Sequence, residues 1–164
     1  MNKGQLQECV AFTIKFARVI AIKSNLSIEL TQNVTHQALD TLHRFLANSS
    51  AEWLQDQDYY MVGLSCFFIA AKLNSTHYGG ADYLITHYCN ERPRPERVNK
   101  LAVLPDVRDT KLRADLESEL FRIEFYILSA LNFQFTKLED LPLSHLRKFM
   151  KQIQESQHVT SRDY

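Results

Sequence analysis

The chain has 164 residues, 45% hydrophobic and 23% charged, and its 19 basic and 19 acidic side chains give a formal net charge of +0. That length fits one domain with a tail, and the charge balance leaves no bulk electrostatic pull toward nucleic acid or an anionic membrane surface. With only 4 glycines and 4 prolines, the composition argues against a loop-rich or all-β protein.

No charged segment followed by an apolar one opens the chain, so no secretory signal is read. In keeping with that, Cys9, Cys66 and Cys89 read as reduced thiols of a cytosolic or nuclear protein. Leu6, Val10, Ile14, Ala17 and Ala21 keep helical spacing, which predicts a first helix over 5–23. Ser27 is the expected N-cap of a second helix, with Glu29 in its first turn and Leu30, Val34, Ala38, Leu42 and Phe45 on one stripe. That helix should end near Asn48-Ser49-Ser50. Asp56 and Asp58 then place negative charge at the start of a third helix, YYMVGLSCFFIAAKL, from Tyr59 to Leu73.

This third helix is apolar on nearly all sides, so it belongs at the centre of the bundle. It is shorter than the roughly 20 residues needed to cross a bilayer, and no membrane span is expected. Gly63 within it predicts a close helix contact. Gly79 and Gly80 end the pattern, and ADYLITHYC forms a short fourth helix. Charges and prolines over residues 92–108 predict an exposed loop. Thr110 to Leu131 is the fifth helix, and its second half, ELFRIEFYILSAL, is apolar on most sides with Glu124 in the middle. Pro142 suits the first turn of one more helix, whose stripe is Leu143, Leu146, Met150 and Ile153, followed by a frayed tail.

Two apolar helices thus carry lone charges of opposite sign, Lys72 and Glu124. A lone charge beside so apolar a surface is costly, so the two are expected to meet. Such a pair near the surface could offer its remaining donors and acceptors to a partner's backbone.

Enzyme signatures are absent: there is no glycine-rich phosphate loop, no GxSxG elbow and no HExxH helix. His77, His87 and Cys89 share a segment, but their spacing matches no zinc pattern, and solvent-facing histidines are the simpler reading. No metal and no cofactor are expected. Cys66 reads as a buried, inert thiol. Asp106, Asp109, Asp115, Glu117 and Glu119 read as solvated carboxylates. The basic run Arg92, Arg94, Arg97 and Lys100 is broken by Glu91 and Glu96 and lacks interleaved aromatics, which disfavours nucleic-acid binding.

The order HQALDTLHRFL, YYMVGLSCFFIAAKL, LFRIEFYILSALNFQF resembles the cyclin box. The matching pieces are Arg44-Phe45-Leu46, Ala70-Ala71-Lys72, Glu124, Leu128 and Leu131-Asn132-Phe133-Gln134-Phe135. The resemblance implies an all-α fold, a five-helix bundle over 5–136 with an apolar third helix at its centre. Residues 137–164 would be a C-terminal helix and tail, or the start of a second box. It also implies a regulatory, non-enzymatic subunit that holds the mobile catalytic-domain helix of a cyclin-dependent protein kinase. By position the contact set is Lys72, Leu73, Glu124, Leu128, Phe133 and Phe135. The competing reading is a cyclin-fold scaffold for non-kinase partners, in meiotic recombination or transcription, acting through the 92–108 loop or the 142–153 helix. Either role places the protein in the nucleus or cytoplasm.

Typical members carry Met-Arg-x-Ile-Leu and a later tryptophan on the first helix. The corresponding residues here are Cys9, Val10, Phe12, Thr13 and Phe16. The family's arginine is Val10 and its partner aspartate is His43, so that brace is missing as a unit. The site on this surface that docks Arg-x-Leu motifs in cell-cycle cyclins is not expected.

Overall fold

Every residue from Tyr60 to Ala71 is buried. In the computed structural model, which describes residues 3–76, 78–92, 109–142, 144–146, 148 and 150, those residues lie on a helix surrounded by others. In chain order the helices are α1 (Lys3–Lys23), α2 (Ile28–Asn48), α3 (Ala51–Gln55), α4 (Tyr59–Leu73), α5 (Gly80–Glu91) and α6 (Thr110–Ala130), followed by a 3-10 turn at Leu138–Asp140. The all-α expectation stands, and no strand occurs among the described residues. α4 packs against α1, α2 and α6. The count is not simply five, because α3 and the 3-10 turn join the five longer helices. Residues 142, 144–146, 148 and 150 are helical too, whereas Leu143, Ile153 and the 93–108 loop lie outside the described residues.

Local chemistry explains the helix starts. The Ser27 hydroxyl accepts from the Leu30 amide at 3.2 Å, as its cap role predicts. Asp58 caps α4 by accepting from Tyr60 and Met61, and Asp109 does the same for α6 with Lys111 and Leu112. Asp56 instead closes α3, which begins with Ser50 accepting from Trp53. Three helices end without glycine. Asn25, Ser75 and Asn132 adopt left-handed φ values of 51°, 51° and 50°. Beyond them the amides of Leu26, Thr76 and Phe133 reach back five residues, to Ala21, Ala71 and Leu128. This is the closure that satisfies the last carbonyls of a helix.

The buried face of α1 differs from the expected stripe. Cys9, Phe12, Thr13, Phe16, Ala17, Ile20 and Ala21 face the core, while Leu6, Val10 and Ile14 are only partly covered. α1 carries two apolar stripes, and the one bearing two phenylalanines removes more apolar surface from water. Gly63 lets it come close: a Cβ there would lie 2.5 Å from Thr13 Oγ1 and 3.3 Å from Cys9 Sγ. Burial pushes the Cys9 thiol up to about 12, and Cys66 is also raised, so neither behaves as a nucleophile. The residues that replace the family's docking motif on α1 therefore sit largely inside the core.

His87 is buried, not solvent-facing. Lys23 of α1 donates to its Nδ1 at 3.3 Å, and the Tyr83 ring packs edge-on against it. Desolvation first, then the Lys23 charge, holds the imidazole below its usual value, partly offset by Glu91, which also pairs with Lys15. Folding thus favours neutral His87, while the unfolded chain takes up its proton below about pH 6.5. This contribution to stability is complete above that pH and declines as pH falls through it. Urea titrations between about pH 7.5 and about pH 5 should show the decline, with a shallower slope in His87→Gln. Equal slopes would remove His87 from the account.

Candidate partner-binding site

Lys72 lies in the last turn of α4, where a cation suits the negative end of the helix dipole. Glu124 lies on α6 opposite. Lys72 Nζ donates to both carboxylate oxygens, at 2.7 and 2.9 Å. The two side chains are unequally placed: Lys72 is 50% exposed and Glu124 10%. The carboxylate is sunk in the bundle while its lysine reaches the surface. The ammonium also sits 4.0 Å above the Phe68 ring and 5.9 Å from that of Phe121. These faces and the carboxylate hold Lys72 in one direction.

The other residues expected at the site are apolar. Leu73 is exposed beside Lys72, and Phe133, just past α6, is 61% exposed. Leu128 and Phe135 are half-buried and pack against the core. Of the six residues expected at this site, two thus contribute to the bundle as well as to its surface. Leu73 and Phe135 line one groove together. Two residues were not anticipated: Phe121 and Phe125, one turn apart on α6, are exposed, Phe125 at 66%. Their spacing of four residues was the available signal, masked because that half of α6 is apolar on most sides. The enclosing frame includes α3, whose Trp53 stacks on Tyr126 of α6 with ring centroids 4.0 Å apart.

Phe133 has a φ of 56°, a left-handed conformation rarely adopted by a bulky residue. It follows Asn132, also left-handed, and the two turn the chain sharply out of α6. The strain costs about 1–2 kcal/mol, and the ring gains little from the core in return. Phe133→Gly should therefore leave the melting temperature unchanged or higher. A large fall in melting temperature would mean that the ring is structural.

A clasp fixes the segment after α6. Arg44 of α2 donates to Thr136 Oγ1 at 3.2 Å, and Thr136 donates to Asp40 at 2.6 Å. Val10 and exposed His43 form no brace of the family's kind, and Arg44 ties α2 to the segment that follows α6 instead. Elsewhere, Arg92 pairs with Asp58 at 2.8 Å, so the first member of the basic run serves the fold. The other members, and His77, lie outside the described residues. Among the described residues no metal-ligating cluster occurs, and no helix is long and apolar enough to cross a membrane.

Residues 22–136 match the family model of the cyclin N-terminal domain, well over half of the chain. The chain belongs to the cyclin family. The match starts at the end of α1 and runs through α2, α4, α5 and α6 to the Thr136 clasp, so it contains all six site residues. Cyclin domains are regulatory rather than catalytic, and the fold of this one is the all-α cyclin box. No curated protein and no solved structure matches the chain.

Proposed function

We propose that this cyclin binds and activates a cyclin-dependent protein kinase by holding its mobile catalytic-domain helix against α4 and α6. The observation that carries this reading is the Lys72–Glu124 pair, open on the lysine side, with the rings of Phe68 and Phe121 against the ammonium and exposed Leu73 next to Lys72 in the chain. A bundle needs no such pair for its core, and apolar residues would serve stability at least as well. With one carboxylate engaged, the ammonium keeps a donor for a backbone carbonyl. Leu73, Leu128, Phe133 and Phe135 would pack on the apolar face of the bound helix, and Phe121 and Phe125 extend that surface along α6. Pressing the kinase helix inward would complete the kinase's own Lys–Glu ion pair and order its activation loop. The domain would occupy residues 5–136 and work in the nucleus or cytoplasm.

The test is co-expression of the full chain with cyclin-dependent kinases, one at a time. A stable heterodimer with raised phosphoryl-transfer activity is expected for at least one. Failure with every kinase would favour a scaffold for non-kinase partners. One observation supports that second reading: Leu146 and Met150, one turn apart after Pro142, are exposed. Deleting 142–153 would then abolish partner binding, and changing Lys72 would not.

A further inference from the structure

Ile22 and Ile28 are the most exposed large apolar side chains among the described residues, at 81% and 79%. They stand near the end of α1 and at the first position of α2, on either side of the turn between these helices. One exposed isoleucine needs no explanation, but these two line the same groove, of about 750 Å³. The α1 wall presents positions 14, 18, 21 and 22, and the α2 wall positions 28, 31, 32, 35, 36 and 39. Both sets follow the three- and four-residue spacing of a helix face, so the groove runs along the two helices. At 1.5 Å per residue the α2 wall is about 16 Å long, roughly three turns.

Two features decide what fits. The first is that the walls have few hydrogen bonds to give. Their backbone groups are used inside α1 and α2, and the hydroxyls of Thr31 and Thr35 donate to the Ser27 and Thr31 carbonyls of their own helix. An extended segment would find few partners here for its amides and carbonyls, whereas a helix satisfies its own. The second is charge. No carboxylate lines the groove, and exposed Arg18 forms no ion pair or hydrogen bond among the described residues. Arg18 stands one turn from Ile14 and one turn from Ile22 on α1. The complement is therefore an acidic side chain with an apolar one four residues to each side. The chain's own residues 142–153 do not supply it, since they include Arg147, Lys148 and Lys151 and no carboxylate.

We infer that the α1–α2 groove docks an amphipathic helix of another protein, about three turns long, with a carboxylate facing Arg18 and apolar side chains against Ile14, Ile22, Ile28 and Leu39. None of the six residues of the proposed kinase contact lines this groove, so the inference does not rest on that reading.

The test uses the full chain, labelled with nitrogen-15, and an alanine-based helical peptide carrying leucine, glutamate and leucine at four-residue steps. Backbone signals of residues 14–22 and 28–39 should move on titration. A matched peptide with lysine in place of glutamate should bind about three- to tenfold more weakly at low salt, because attraction at an exposed pair becomes repulsion. Arg18→Glu should reverse that order, and Ile22→Ser and Ile28→Ser should each weaken the glutamate peptide. All three positions are exposed, so these variants should fold, and thermal melts check that they do. Unmoved signals at the groove, or equal binding of the two peptides, overturns the inference. Equal binding of a proline-substituted peptide that cannot form a helix overturns the helical occupant. Sedimentation of the chain alone supplies the last outcome: a dimer abolished by Ile28→Ser would make a second copy the occupant and overturn the assignment to another protein.

Discussion

Exchanging the charges of Lys72 and Glu124 should restore the fold without restoring the kinase complex. Lys72→Glu puts a second carboxylate beside Glu124, which has little solvent to turn to. Glu124→Lys buries a cation against the Lys72 ammonium. Each single reversal should lower the melting temperature and weaken binding by about thirtyfold or more, the range seen when one partner of a hydrogen-bonded charge pair covered by an interface is lost (roughly 2–5 kcal/mol). The double exchange makes an ion pair of the same two charges, so most of the thermal stability should return. Binding should not, because the surface group is now an acceptor where the partner's carbonyl needs a donor. Calorimetric melts and titration of the kinase with all three variants separate the outcomes. Recovery of both properties in the exchanged protein would make the pair structural only.

The second large effect concerns stability alone. A side chain at Gly63 meets α1 where that helix has least room to give. The nearest atom is Thr13 Oγ1, and the Cys9 carbonyl, part of the helix backbone, stands 3.6 Å away. Gly63→Val should cost about 3 kcal/mol or more, because overpacking forces the helices apart. Gly63→Ala gains helix propensity of about 1 kcal/mol and so should lose less. Thr13→Ala removes the closest atom, the oxygen of a hydroxyl that donates to the Cys9 carbonyl within α1 and also meets the Cys9 thiol. Combined with Gly63→Ala, it should cost less than the two single changes added together. Urea denaturation of this cycle would show the coupling, and simple additivity would mean that the two residues do not compete for space.

Much of this architecture is legible in residue pattern because local and global preferences agree. α4 reads as central because apolar residues cover all its sides, and the structure buries it from Tyr60 to Ala71. The Lys72–Glu124 contact is legible for the opposite reason, as each charge interrupts an apolar pattern and has no local explanation. Other features depend on neighbours that a one-dimensional pattern does not contain. α3 has only 5 residues, too few to show a period, and is held by Ser50 and by the stacking of Trp53. The face of α1 is chosen by the space at Gly63. His87 is buried because Lys23 and Tyr83 close over it from two helices. Phe121 and Phe125 are apolar yet outside, and only the position of the core reveals them as surplus.

The Arg44–Thr136–Asp40 clasp has a consequence for how the protein is made. Its hydrogen bonds join residues that are 92 and 96 positions apart in the sequence. During synthesis α2 leaves the ribosome long before Thr136 exists. A nascent chain can assemble α1, α2 and α4 early, but it cannot complete this closure until translation has passed residue 136. The surface bearing Phe133 and Phe135 is therefore the last part of the domain to be finished. Any partner that needs that surface must wait for a nearly complete subunit, so half-made chains have no means of capturing it.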